Sequence, residues 1–241
     1  MSNAAVEILA HLATVDLERR QREGVPGLGA KVAAVKAFQQ RRFEKTYADL
    51  LGSPRYGAAA RFFLDELYGP GDFTQRDAQF ARVVPALVRL FPQEIVETVA
   101  ALGALHALSE QLDTSLAAQL QTSVLDGPAY VRAWQAAGRV EDRDQQISLT
   151  LDVAERLDRL TQRMLVRNSL RLMRAPARAA GLSDLQRFLE SGFESFRAMR
   201  GAQEFISTVR ARERALASQL FSTSSTDPDA SALQDLLRAL P

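Results

Sequence analysis

The chain has 241 residues, a formal net charge of +1 and no cysteine. Its length allows one large or two small domains, and its 46% hydrophobic and 24% charged residues are average for a soluble globular protein. The lack of cysteine excludes disulfides, thiol nucleophiles and thiolate metal sites. The near-neutral charge argues against a polyanionic partner for the surface as a whole.

The first twenty residues do not resemble a signal peptide. They have no basic segment ahead of an apolar one, and they carry acids at Glu7 and Asp16. No stretch of the chain approaches the roughly 18 apolar residues that a membrane-spanning helix needs. We therefore expect no membrane span and a cytoplasmic location.

The hydrophobic pattern predicts an all-α fold without a significant sheet, because apolar residues recur at helical spacing. Glycine and proline residues divide the chain into roughly nine helices. We expect an irregular or orthogonal bundle around two long helices, 93–123 and 141–174. The second contains no glycine or proline and should be the longest. Gly192, one turn from Phe188 and Phe196, should allow close helix approach.

The chain is predicted to form a single helical domain over residues 1–221, with a candidate subdivision near 126–140. Residues 222–230 have the small, polar composition of a linker. Residues 231–241 carry a leucine stripe and predict a short amphipathic C-terminal helix. This helix docks either on its own body or on a groove of another molecule.

The most distinctive stretch is the aromatic and acidic segment FFLDELYGPGDFTQRD, residues 62–77. Aromatic residues at helical spacing usually serve the core, so the favoured interpretation is a packed helix corner. The alternative is an acidic docking surface or the rim of a ligand pocket. The candidate residues for that alternative are Asp65, Glu66, Tyr68, Asp72 and Asp77.

This stretch resembles the phrase FFL-x-x-LYG-x-x-DF-x-x-RD of an uncharacterised family of bacterial, all-helical proteins. The later stretch FLESGFESFRAMRGAQEFISTVRARE, residues 188–213, is similar to the same family. The resemblance covers most of the chain and implies an all-helical fold. It implies no known activity, cofactor or catalytic residue.

A regular arginine series occupies Arg159, Arg163, Arg167, Arg171 and Arg174. Steps of four and three residues predict that all five lie on one arc of a single helix, where like charges repel and need neutralising. The favoured neutralising groups are acids of the same chain, around 65–77 or 190–204. The alternative is an external polyanion or an acidic partner protein. Few interleaved aromatics and a balanced net charge argue against nucleic acid.

The histidines offer little to metal or cofactor chemistry. His11 and His106 are the only two, and neither stands in a metal-ligand motif, so we predict no metal site and no cofactor. His106 lies on an otherwise apolar helix and is predicted to be a core histidine with a satisfied hydrogen bond. The alternatives are an axial haem ligand or a wall of an interior pocket. Sequence motifs of a nucleophile elbow and a phosphate loop are missing.

Two functions follow from these observations. The first is a non-enzymatic interaction or regulatory protein that uses the arginine series, the acidic corner or both. Its partner would be another protein, and a homo-oligomer remains open. The second is a helical protein or enzyme that binds a small molecule or cofactor in an interior pocket near His106. A cavity at His106 with a nearby carboxylate favours the second, whereas a solid core with an exposed apolar groove favours the first.

Overall fold

The structure, a computed structural model, describes residues 2–67, 71, 73–223 and 231–241. These residues form helices and no strand, which confirms the predicted fold class. The helices number more than the roughly nine predicted, because three of them have only five or six residues. A π-helical turn, Phe63–Leu67, follows the fourth helix. The α-helices in chain order are α1 (Asn3–Gly24), α2 (Leu28–Thr46), α3 (Ala48–Gly52), α4 (Gly57–Phe62), α5 (Thr74–Leu90), α6 (Gln93–Ala118), α7 (Gly127–Ala137), α8 (Val140–Thr161), α9 (Met164–Leu172), α10 (Arg174–Ala179), α11 (Ser183–Ala198), α12 (Gln203–Ser222) and α13 (Ser231–Ala239).

Helix α6 is the centre of the bundle and, at 26 residues, the longest helix described. It begins directly after Pro92, as the sequence predicts, because the first turn of a helix has no use for the missing N–H. Helices α1, α2 and α8 all pack against it. Buried leucines on α6, such as Leu112 and Leu116, fill the contact between these helices.

The prediction of one longest helix over 141–174 is wrong, because the chain turns extended at Arg163 (φ −91°, ψ 114°). Contacts with distant elements hold this break. The guanidinium of Arg163 pairs with Glu94 of α6 at 2.7 Å. The buried carboxylate of Asp158 accepts a hydrogen bond from the backbone N–H of Ala202 at 3.1 Å. This break separates α8 from α9 without any glycine or proline, and a second interruption at Met173 separates α9 from α10.

Two aromatic clusters of the core share α2 and α12, and a third, aliphatic cluster joins α1, α5 and α6. The first cluster lies around Phe63 and Phe205, whose ring centroids are 5.9 Å apart. The second lies around Phe38 and Tyr130, which stack at 4.5 Å. Because both clusters receive residues from the same two helices, they hold the two ends of the bundle together.

The C-terminal helix α13 docks on its own body. Leu236 and Leu240 are buried in the second cluster. The ammonium group of Lys45 donates a hydrogen bond to the backbone carbonyl of Leu240 at 2.7 Å. Of the two predicted docking alternatives, this chain therefore shows the intramolecular one. Most of the predicted linker lies outside the described residues.

Close packing of α11 on α4 depends on Gly192. A Cβ added there would lie 2.8 Å from the ring tip of Phe62. The ring of Phe62 cannot move freely, because it is buried against Phe188 at a centroid distance of 5.4 Å. Close helix approach at this glycine was predicted from the sequence, and the structure places α4 as the neighbour.

We expect Gly192→Ala to lower the free energy of unfolding by about 1–3 kcal/mol, the usual cost of overpacking a core. Urea denaturation measures the change. The matched control is Gly29→Ala in α2, where an added Cβ meets nothing within 4 Å and stability should be unchanged or slightly higher. Equal stability of the two variants would contradict the close contact.

Candidate functional site: helix α9 and the arginine cleft

Helix α9 is the most exposed helix near the arginine series, with no fully buried residue. Val166 and Leu170 are half-buried, whereas Met164, Leu165 and Leu172 are 73%, 80% and 78% exposed. At 100° per residue, these three exposed side chains share one arc of the helix, which we call the apolar stripe. Adjacent exposed apolar residues of this kind mark interaction sites more often than isolated ones do.

The arginine series does not lie on one helix, so the predicted single arc is wrong. The cause is the break in the chain at Arg163. Two of the arginines, Arg167 and Arg171, remain on α9, on an arc beside the apolar stripe. The others lie on neighbouring elements: Arg159 on α8, Arg163 between α8 and α9, and Arg174 at the start of α10.

Three of these arginines pair with carboxylates of the same chain. The pairs are Arg163 with Glu94 at 2.7 Å, Arg167 with Glu194 at 3.2 Å, and Arg174 with Glu190 at 2.6 Å. Two of the three carboxylates belong to α11, within the 190–204 segment considered from the sequence. The hydrogen bond from Arg174 holds the pKa of Glu190 below its usual value. Each pair has a partly exposed partner, so screening by solvent keeps its net contribution to stability small.

The surface around α9 keeps an excess of positive charge. Arg159 and Arg171 are exposed and make no ion pair with any described residue. Residues 158–200 contain nine arginines and four carboxylates, although the whole chain carries only +1. The charge of the protein is therefore polarised toward this end of the bundle.

A cavity of about 430 Å³ opens where α8 ends, α9 begins and α11 ends. We call it the arginine cleft, because four arginines line it: Arg163, Arg167, Arg197 and Arg200. The sequence did not single out Arg197 and Arg200, which lie beyond the predicted series, at and after the end of α11. A signal was present in the phrase FRAMRG, which places two arginines three residues apart at the end of a predicted helix.

The acidic segment 62–77 is largely a packed corner in the part that the structure describes. Phe62, Phe63 and Leu64 are buried, whereas Asp65 is exposed and Glu66 is half-buried. Arg76 lies over the rings of Phe73 and Phe188, at 4.1 and 4.4 Å, and Glu66 pairs with it at 3.7 Å. The candidates Tyr68 and Asp72 lie outside the described residues.

Asp77 and His106, which the sequence treated separately, are in contact. The Nε2 atom of His106 lies 3.0 Å from the Asp77 carboxylate, and Arg19 donates to the same oxygen at 2.6 Å. Burial raises the pKa of Asp77, but the hydrogen bonds and charges of His106 and Arg19 outweigh burial and lower it. His106 therefore has a polar partner, and Asp77 faces inward rather than toward a docking protein.

Two acids of α6, Glu110 and Asp113, continue from His106 along the helix and form a row of polar side chains with it. Glu110 pairs with Arg22 at 2.6 Å and with Lys36 at 2.5 Å. Burial alone would raise its pKa, yet the two cations lower it. Asp113 is also buried, and there burial prevails and raises the pKa. The positions 106, 110 and 113 follow helical spacing, so the row was visible in the sequence as a polar stripe on an apolar helix.

An interior cavity of about 60 Å³ lies between α2, α7, α8 and α12. Its polar lining includes the buried pair of Arg42 and Glu213, and the buried indole Nε1 of Trp134 has no hydrogen-bond partner among the described residues. This volume holds only a few water molecules, well below the roughly 300 Å³ of ligand pockets. His106 lines neither this cavity nor the arginine cleft.

In residues 2–67, 71, 73–223 and 231–241, no group of three or more histidines and carboxylates could hold a metal ion. None of the helices described is both long and apolar enough to cross a bilayer.

Comparison with known families gives a match over residues 18–227 to a domain of unknown function (DUF8198). The match spans most of the chain and agrees with the resemblance to an uncharacterised family. Comparisons with curated proteins and with solved structures gave no match.

Proposed function

The chain belongs to the DUF8198 family of unknown function, and we propose from its geometry that it is a non-enzymatic interaction protein. The binding surface is α9, and the partner is a protein that presents acidic side chains around an apolar centre. The observation that carries this proposal is the exposed apolar stripe of α9 beside arginines that lack buried partners.

The apolar stripe supplies the attraction. Met164, Leu165 and Leu172 are all more than 70% exposed, and burying a side chain of this size contributes about 1.5–3 kcal/mol. Protein interfaces depend on a few such anchors near their centre, surrounded by a polar rim. The stripe and its flanking arginines have this arrangement.

The arginines supply orientation and selectivity. Arg159 and Arg171 offer charges that no described carboxylate pairs with. Arg167 pairs with the exposed Glu194, whereas Arg174 pairs with the half-buried Glu190. An acidic partner can replace the exposed carboxylate of Glu194 at small cost. Complementary charge also accelerates encounter and rejects basic partners.

The interior of the protein supports interaction rather than small-molecule chemistry near His106. Neither described cavity includes His106, and the interior one is too small for a cofactor. The Nε2 atom of His106 makes its polar contact with Asp77, at 3.0 Å, within the bundle. The pocket alternative therefore has the carboxylate of Asp77 beside His106, but neither of the cavities described here reaches that pair.

The double variant Leu165→Asp with Leu172→Asp tests the proposal. We expect the native chain, purified gently from its host, to carry a stoichiometric protein partner in native mass spectrometry. In the complex the partner buries these two leucines, so replacing them with acids should weaken the complex by about 100-fold or more. The variant should stay folded, because both leucines are exposed.

The control is Val124→Asp, which changes an apolar residue that is 82% exposed and lies outside α9. It should keep the partner at native stoichiometry. A native chain without any partner, or a complex that survives the double variant, would contradict the proposal.

A further inference from the structure

We propose that the arginine cleft binds a small organic phosphate that carries at least two negative charges. This inference goes beyond partner binding, since it concerns a cavity at the root of α9 that shares only Met164 with the apolar stripe. The cleft volume of about 430 Å³ lies within the range of small-molecule sites. A single inorganic phosphate would leave most of that space empty.

The guanidinium groups of the cleft are only partly neutralised. Arg167 and Arg197 share one carboxylate, that of Glu194, at 3.2 and 3.9 Å. Arg200 has no ion pair with any described residue. Planar guanidinium forks match phosphate oxygens in pairs, so a group with several oxygens and two charges can engage more than one of them.

The carboxylates near the cleft do not block an anion. Among the described residues, Asp158 is the only carboxylate in the lining, and its buried side chain accepts the N–H of Ala202 at 3.1 Å. Glu194 is about half exposed, so releasing its arginines into a ligand costs little.

The lining also accommodates an organic group. Phe193 and Phe196 contribute apolar surface to the cleft, and the exposed Met164 stands beside them. A cleft that combines arginines with aromatic and thioether surface fits a phosphate attached to an apolar or aromatic group better than a bare ion.

The backbone of Arg200 gives an independent indication. Arg200 has φ +52° and stands two residues after the end of α11, a position where helices usually carry glycine. A side chain in this left-handed conformation strains the backbone, so folding alone would favour glycine there. A strained residue inside a cleft fits a role in ligand contact.

The test is titration calorimetry of the full chain with inorganic pyrophosphate at low ionic strength. We expect saturable binding of one pyrophosphate per chain. Arg200→Gly should weaken it at least about tenfold, the effect of losing one charge-assisted contact. The same variant should melt at an equal or higher temperature, because glycine relieves the left-handed strain. Loss of binding in a chain that is no less stable separates ligand contact from folding.

The matched control is Arg139→Gly, which makes the same change at the other left-handed arginine, with φ +57°. Arg139 stands at the start of α8, whereas the cleft lies at the end of that helix, about 30 Å away. Its variant should bind pyrophosphate as the native chain does. Adenosine diphosphate should bind at least as tightly as pyrophosphate, because its organic group covers the apolar lining.

Three results would overturn the proposal: no saturable binding, equal affinity in Arg200→Gly, or an equal loss in Arg139→Gly. The apolar-stripe variant Leu165→Asp with Leu172→Asp should still bind pyrophosphate. Failure of partner binding and failure of phosphate binding are thereby distinguishable.

Discussion

Glu110→Gln is expected to lower the free energy of unfolding at pH 7 by about 3–5 kcal/mol, the usual cost of breaking a buried ion pair. The Glu110 side chain is 4% exposed and is the carboxylate with which both Arg22 and Lys36 pair. Glutamine keeps the shape but leaves two largely buried cations without a counter-charge. Because domains are stable by only about 5–15 kcal/mol, urea denaturation should show a large shift of the midpoint.

Asp113→Asn is the matched control, since it removes a carboxylate one turn further along the same helix. Asp113 is also buried, but no ion pair to it occurs in the described chain, and burial raises its pKa. Its charged form is therefore disfavoured, and the neutral amide should cost little or even stabilise. Equal losses in the two variants would contradict the assignment of Glu110 as the counter-charge.

The two carboxylates should also differ in their pH dependence. The pKa of Glu110 is lowered in the folded state, so its contribution is present above the unfolded value of about 4.3 and is lost as the pH falls below it. The pKa of Asp113 is raised, so its contribution is present at low pH and is lost as the pH rises through that raised pKa. Acid denaturation should therefore become shallower in Glu110→Gln and steeper in Asp113→Asn.

Leu236→Ala combined with Leu240→Ala should lower the free energy of unfolding by about 4 kcal/mol, because each change empties a buried leucine site. Both leucines are 1–2% exposed in the second core cluster, which also contains Trp134. Trp134 is the single tryptophan of the chain, so its fluorescence reports the same region during urea denaturation.

The control for the α13 variant replaces two exposed residues of the same helix, Asp235→Ala with Arg238→Ala. Their side chains are 72% and 77% exposed and pair only with each other, so stability should change by no more than about 0.5 kcal/mol. If the leucine variant were as stable as this control, α13 would not be docked on its own body.

Local features of the sequence were sufficient to predict the fold class and the start of α6 at Gln93. The helical spacing of apolar residues and the proline at position 92 affect the backbone over only a few residues, so they can be recognised in the sequence alone. The break at Arg163 could not be predicted in the same way. It depends on the bond from Ala202 to Asp158, 44 residues apart, and on the pair with Glu94 of α6. Contacts of this range are set by the assembled bundle and leave no local pattern.

The sequence likewise predicted only part of the candidate site. Regular spacing identified the arginines from Arg159 to Arg174, but their division among three helices followed from the break at Arg163 and a second interruption at Met173. The arginine cleft requires α8, α9 and α11 together, so Arg200 could not be assigned to it from the sequence. The contact of His106 with Asp77 joins α6 to α5 and was equally out of reach.

Hydrogen exchange of the purified complex, compared with the isolated chain, locates the partner most directly. If α9 is the binding surface, backbone amides of Met164–Leu172 should exchange more slowly in the complex, while those of Phe63–Leu67 in the acidic corner should not change. Protection confined to the acidic corner, with α9 exchanging as in the free chain, would contradict the assignment of α9 as the partner site.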